Sequence, residues 1–305
     1  MKRRTVIVEG PIAFRMRRLE AARRSEVGVQ ILTLSLLAAR LAGGFHRPAR
    51  TQELGPAIRT ALDSGGFIEL EPMRQLPGMT RAVAWTLAKV WDADISLSGL
   101  TAADGSARLA DLALIEERVR MALPRGVLTP RDLRDAALNR LGHAAAVLGA
   151  VELDRLLNVA PVWRPLIQAL GETVELCWRD PGTTDRGWFP GEVRIEAPRS
   201  PAPTEIVSCA DPHAEVVESL RWVRELLASG RAKPDEIAIC ATSTEPWDEH
   251  FLVLAASAEL PIYFSHGVPA LSTHEGKLTG NQKDPAISRG EAVTVNLHPP
   301  PQFRS

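Results

Sequence analysis

Four β-branched residues in a row, Thr5-Val6-Ile7-Val8, are broken by Gly10-Pro11 and followed at once by a helical run. A second strand-like stretch, Val29 to Thr33, then leads into helical spacing from Ser35 to Ala42, ended by Gly43-Gly44. A strand-helix-strand-helix opening can bury its apolar residues only by placing the strands side by side in parallel, with the helices packed over them. The chain therefore begins as an α/β layer.

The turn after the first strand sits where a phosphate-binding loop would stand. A Walker A loop needs Gly, Lys and Ser/Thr at the fifth, sixth and seventh positions after its first glycine. Counted from Gly10, those positions hold Arg15, Met16 and Arg17. Gly10 and Pro11 thus mark a degenerate phosphate loop, with a helix N-terminus but no lysine for phosphates and no hydroxyl for magnesium. In the helix that follows, Ile12, Met16, Leu19 and Arg23 share one face, and the spacing predicts that this face packs inward. Arg15, Arg17, Arg18 and Arg24 would then project outward as candidate DNA contacts.

Charge is divided along the chain although the net charge is −1. Residues 1–50 carry eleven Lys/Arg and three Asp/Glu, a balance of +8, whereas residues 205–260 carry eleven Asp/Glu and four Lys/Arg, a balance of −7. A basic first lobe permits a polyanion contact without requiring one. Only five of the 36 basic residues are lysine.

From about residue 54 to 159 the pattern is helical throughout, with one stripe at Met79, Val83, Leu87 and Val90-Trp91 and a weaker one at Leu109, Leu112, Glu116 and Val119. Thr129, with Pro130 next and Asp132 three residues on, reads as a helix N-cap. A helix at Val162–Leu170 and the strand "ETVELCWR" resume the α/β pattern, and Asp180–Pro203, rich in Pro and Gly, reads as a linker. Three further strands are expected at "TEIVSCADP", "DEIAICATS" and "PIYFS", with helices between them capped by Asp211-Pro212 and closed by Gly230. The predicted organisation is an α/β domain from residues 1–53 and 160–204, a helical insertion at 54–159, a second α/β unit at 205–275 and a disordered tail at 276–305.

Other features argue against chemistry. Asp235-Glu236 precede their strand and Asp248-Glu249 lie in a helix's first turn, both unsuited to a Walker B role. No histidine pair has zinc spacing, and Cys177, Cys209 and Cys240 suit buried free thiols. Trp85, Trp91 and Trp222 fall on apolar stripes, leaving Trp188 as the tryptophan expected at the surface. No signal peptide or membrane-length apolar run is present, so a cytoplasmic protein without membrane contact, cofactor, metal site or catalytic residues is expected.

The string "SCADPHAEVVESLRWVRELLASGRAKPDEIAICATSTEPWDEHFLVLAASAELPIYFSHGVPALS" resembles the PD-(D/E)XK nuclease family proteins related to the B subunit of AddAB helicase-nucleases. The opening "VIVEGP" with "ILTLSLLAARLAGGF" is similar to that family's degenerate first motor domain, and the helical stretch to its inserted subdomain. The resemblance spans about residues 4–276 and implies a P-loop-NTPase-like, degenerate helicase fold serving as a non-catalytic scaffold in DNA double-strand-break repair. DNA and the helicase subunit of such a complex are the implied partners. The likeness stops near Gly276, before the family's nuclease, so a truncated or frameshifted member is expected and no nuclease residue carries over. The alternatives are an ATPase with an atypical loop, a nuclease built on Glu275 and Lys277, or a protein-binding regulatory module.

Overall fold

The structure is a computed structural model and describes residues 3–267, apart from 181, 183–185, 197–204, 242–244 and 261. The chain divides into two compact units, Met1–Ser200 and Pro201–Ser305. The first contains, in order, β1 (Arg4–Ile7), α1 (Gly10–Arg23), β2 (Val29–Leu32), α2 (Leu34–Leu41), β3 (Arg47–Pro48), α3 (Thr51–Asp63), α4 (Met79–Asp92), α5 (Leu97–Asp104), α6 (Ala107–Ala122), β4 (Val127–Leu128), α7 (Pro130–Leu138), α8 (Ala144–Val147), β5 (Ala150–Asp154), α9 (Arg164–Gly171), β6 (Leu176–Asp180) and β7 (Glu192–Ile195). The second contains α10 (Pro212–Ala228) and α11 (Glu245–Ser257).

Five strands form one sheet in the order β2-β1-β5-β6-β7, and every pairing in it is parallel. The fold is therefore α/β. Side chains alternate between faces along each strand, so Ile7, Leu153 and Trp178 share one face while Arg4, Glu152, Asp154 and Arg179 share the other. The apolar face packs on α2, α7, α8 and α9 in a core that includes Leu37, Leu133, Leu148, Leu166 and Leu170. Phe189 and Trp188 extend it, each edge-on or tilted to Trp178 with ring centroids 5.4 and 5.8 Å away.

The chain leaves β1 toward β2 through α1 and leaves β5 toward β6, in the opposite direction, through α9. Right-handed crossovers place such helices on opposite faces, and the contacts agree: α9 lies in the apolar core, while α1 reaches the charged face through Arg17. β1 and β5 thus flank a topological switch point.

Ala150–Asp154 corrects the sequence reading, which held residues 54–159 to be helical throughout. That stretch contains β5, the strand that pairs with β1 on one side and β6 on the other. Its "AVELD" places charged residues on one face, so it lacks the continuous apolar run that marks a buried parallel strand. The helices before it build a separate core from Ile58, Leu62, Val83, Leu87, Trp91, Ile115 and Val119. Within that core the buried Asp111 carboxylate accepts three backbone N–H bonds, from Ile68, Glu69 and Leu70, at 2.7 to 2.9 Å. Trp91 Nε1 donates to Glu116 at 2.7 Å. The β3–β4 pair, Arg47 with Val127 and Pro48 with Leu128, closes the base of the insertion.

In the second unit α10 and α11 form as expected, with the Asp211 side chain accepting from the Ala214 N–H at 2.8 Å. Among its described residues there is no strand, so the expected second α/β unit is met in its helices alone. Val216, Leu220 and Ala255 are its buried apolar residues, whereas Ile206, Ile239 and Tyr263 from the three expected strands are 91%, 41% and 74% exposed. So little buried surface provides no sheet-forming layer. Cys240 is exposed rather than buried. Residues 268–305, with Glu275, Lys277 and the expected tail, lie outside the described residues.

Two stability outcomes follow. A Cβ on Gly149, which has φ +68°, would run into the Arg3 carbonyl oxygen at the start of β1. Gly149→Ala should therefore lower the unfolding free energy of the first unit by at least about 3 kcal/mol, combining left-handed strain with a backbone clash. Gly105→Ala, at φ +66° with nothing within 4 Å, should cost only about 1 to 2 kcal/mol; equal urea midpoints for the two variants would refute this. In limited proteolysis, cuts within residues 205–267 are expected before any within β1–β6, because local opening is easiest where few apolar side chains are buried.

Candidate functional site

The carboxyl ends of β1 and β5 meet where open α/β sheets place their ligands. β1 ends at Ile7, and α1 begins after only two intervening residues, Val8 and Glu9, with Gly10, whose φ is +77°. Glu9 is the N-cap residue and makes no side-chain cap bond, and Pro11 occupies the first turn. Such a turn has no room for a loop of successive N–H groups around a phosphate. Pro11 also removes one helix N-terminal donor, and the Glu9 carboxylate repels an anion. Arg15, Met16 and Arg17 stand in the second turn of α1 rather than in a loop.

The four arginines assigned to DNA have different surroundings. Arg17 is 7% exposed and donates to Glu26 Oε2 at 2.8 Å, with Asp154 Oδ2 3.8 Å from its Nε. It is thus removed from the candidate DNA contacts and is a structural ion-pair residue. Arg24 pairs with Glu20 at 2.7 Å, and Arg18 lies over the Phe14 ring at 5.6 Å. Arg15 is exposed, and it too is engaged within the protein. The helix has turned its expected apolar side outward: Ile12, Met16 and Leu19 are 57%, 51% and 43% exposed. The reason is the sheet face it covers, which presents carboxylates and guanidinium groups, so α1 docks through a charge.

That face carries an alternating lattice. Glu26 accepts from both Arg17 and Arg4, at 2.8 and 2.7 Å. Arg179 lies 3.3 Å from Asp154 and 3.6 Å from Glu152 and also pairs with Glu196, which accepts from Arg155 at 2.8 Å. Four cations, Arg4, Arg17, Arg155 and Arg179, balance Glu26, Glu152, Asp154 and Glu196. The hydrogen bond from Arg17 is the main cause holding the Glu26 carboxyl below its usual range. Arg155, immediately after β5, adopts a left-handed φ of +56°, uncommon for a side-chain-bearing residue and characteristic of functional or strained turns. Each of these four carboxylates lies within ion-pair distance of a guanidinium group. Among the described residues no three His, Cys, Asp or Glu side chains are placed to hold a metal ion.

Other expectations fall out differently. Trp91 is buried, but Trp85 and Trp222 are 67% and 48% exposed. Trp188, expected at the surface, is half-buried against Trp178 and Phe189, with the Arg164 guanidinium 5.1 Å from its ring. Burial pushes the Cys177 thiol up, which makes it a poor nucleophile. Glu236 caps its own turn by accepting from the Lys233 N–H at 2.9 Å, and Asp248 lies 2.8 Å from His266 Nε2. Asp180, fully buried at the end of β6 and paired with Arg186, carried no recognisable sequence signal.

No protein-family model and no curated protein matches this chain. None of the described helices is long and apolar enough to cross a membrane.

Arg17→Ala should destabilise the first unit by about 3 kcal/mol at neutral pH, because it leaves Glu26 and Asp154 short of a partner in a mostly buried setting. Arg24→Ala, from an exposed pair, should cost less than about 1 kcal/mol. Glu26 has a folded-state pKa below its unfolded one, so its stabilisation is present above the ordinary carboxylate range and is lost as pH falls through the folded value. The gap between wild type and Arg17→Ala should accordingly narrow in acid. Denaturation midpoints across pH check this, and a gap that widens in acid would contradict it.

Proposed function

We propose that this chain is a non-catalytic, helicase-like scaffold from a DNA double-strand-break repair helicase-nuclease, binding DNA or a helicase partner. The β1–α1 turn carries the reading. In the parallel sheet, β1 passes through a tight turn into α1 at the place where a P-loop would stand, and Glu9, Gly10 and Pro11 leave that turn without phosphate-gripping groups. The resemblance to AddAB-type B subunits supplies the biological context, in which a partner subunit hydrolyses ATP. The basic balance of the first fifty residues supports a polyanion partner.

In an ATP hydrolysis assay with and without DNA, the full chain should show no turnover above background. It should nevertheless retain a blunt-ended duplex or a tailed DNA at low salt, with affinity falling as salt rises. DNA-stimulated turnover that vanishes when Gly10-Pro11 is replaced would instead establish an ATPase. Failure to retain any DNA, with retention of a helicase subunit, would restrict the scaffold to protein contacts.

A further inference from the structure

On the exposed surface of the first unit, the loop after α2 brings an aromatic ring close to cations that have no acidic partner among the described residues. Phe45 is 90% exposed, more than any other large apolar side chain described in that unit. Its loop is rigidly held. Gly43 and Gly44, at φ +108° and +78°, end α2, and the Gly44 N–H donates to the Ala39 carbonyl at 2.9 Å. Beyond Phe45, the Arg47 N–H donates to Gly126 O at 2.9 Å and the Ala49 N–H to Leu128 O at 3.1 Å. A Cβ on Gly126 would stand 3.1 Å from the Phe45 carbonyl oxygen, so the two backbones are closely apposed. The ring is therefore presented by fixed backbone on both sides, with little ordering left to be done on binding.

Three arginines stand on the backbone segments that frame the loop. Arg40 is in the last turn of α2, Arg140 lies 3.4 Å from the position of a Cβ on Gly43, and Arg125 precedes Gly126. All three residues are exposed, and among the described residues none has a carboxylate within 4 Å. The contrast with α1 is direct, since the arginines there are engaged by Glu20, Glu26, Phe14 and other groups of the protein. Arg47 pairs with Glu53 and is left out of this count.

An exposed ring calls for a flat apolar partner, and carboxylate-free guanidinium groups call for an anion. Unstacked bases on a phosphate backbone supply both, whereas a duplex hides its base faces. We propose that the Gly43–Arg47 loop is a contact site for single-stranded nucleic acid, with Phe45 stacking on a base and Arg40, Arg125 and Arg140 holding the neighbouring phosphates. The proposal rests on the polyanion-binding part of the function above and adds the strand state and the residues.

The test is fluorescence anisotropy of labelled oligo(dT), oligo(rU) and a duplex of equal length with the full chain, across a salt series. Single strands, both oligo(dT) and oligo(rU), should bind more tightly than duplex. Phe45→Ala should weaken single-strand binding about 5- to 150-fold without changing the salt slope, as loss of one stacked base does. Phe45→Trp should restore it. Because the ring is exposed, circular dichroism should show both variants folded. Arg40→Ala and Arg140→Ala should each reduce the salt slope by about 0.7. Single-strand binding unchanged in Phe45→Ala would overturn the site while leaving the scaffold reading intact. Absence of binding to every nucleic acid would overturn the site and the DNA part of the scaffold reading together. A Phe45→Ala variant altered in self-association but not in nucleic-acid binding would assign the loop to a protein interface and likewise overturn the proposal.

Discussion

A parallel sheet needs cover on both faces, and in the first unit the two faces are covered by opposite chemistry. Ile7, Leu153 and Trp178 lie against apolar helices, while Arg4, Glu152, Asp154 and Arg179 neutralise one another on the other side and receive α1 through Arg17. The position of α1, and so the shape of the β1–α1 turn, depends on that second face. Ion pairs of this kind need not add net stability relative to an apolar layer, but each partner becomes indispensable once the other is out of water. The lattice therefore acts less as adhesive than as register: it admits α1 in the one orientation that brings a guanidinium to Glu26 and Asp154.

This arrangement has a functional consequence. Charges that neutralise each other within the sheet face are withdrawn from ligands, and the helix nearest the phosphate-site position has its arginines engaged. Cations without acidic partners occur instead around the α2–β3 loop, where β3 pairs with β4 across the base of the helical insertion. The basic character of the first fifty residues is thus real as a sum and uneven as a surface. An argument from charge count has to be redone on the fold before it says where a polyanion would lie.

The helical insertion is joined to the sheet layer by polar as well as apolar links. Asp94, at a left-handed φ of +55° after α4, receives Arg131 and Arg134 from α7 at 2.9 and 2.6 Å. Arg120 of α6 pairs with Asp132, which also accepts from Thr129 at 2.8 Å. The N-cap read from Thr129-Pro130 is therefore also the place where the insertion is fastened. Asp111 performs a similar task inside the insertion: burial raises its carboxyl pKa, but the three N–H donors of Ile68, Leu70 and Glu69 outweigh that and keep it charged.

Local signals were sufficient for local structure. β-branched residues before Gly10, the caps at Thr129 and Asp211, the Gly43-Gly44 and Gly230 terminators and the Val83-Leu87-Trp91 stripe each specify an element through nearest neighbours along the chain, and each formed where the residues imply. The decisions that were not legible all concern what an element packs against. The stripe Ile12-Met16-Leu19 has perfect helical spacing, yet the face opposite to it was chosen for burial because the sheet below is charged. β5 has too few consecutive apolar residues to stand out, and becomes a central strand only because β1 and β6 supply ladder partners on both sides. Trp85 and Trp188 exchanged their expected places for the same reason, since periodicity gives a residue's direction on its helix but not the presence of a neighbour there. Sequence determined β1, β2, β6 and most of the helices of the first unit, but not β5 or β7, which lie in stretches that read as helical and as a linker. Tertiary structure alone decided which side of α1 faces inward and which arginines are neutralised, because the sheet face that α1 covers is built from strands distant in sequence, Arg17 meeting Asp154 and Arg4 meeting Glu152.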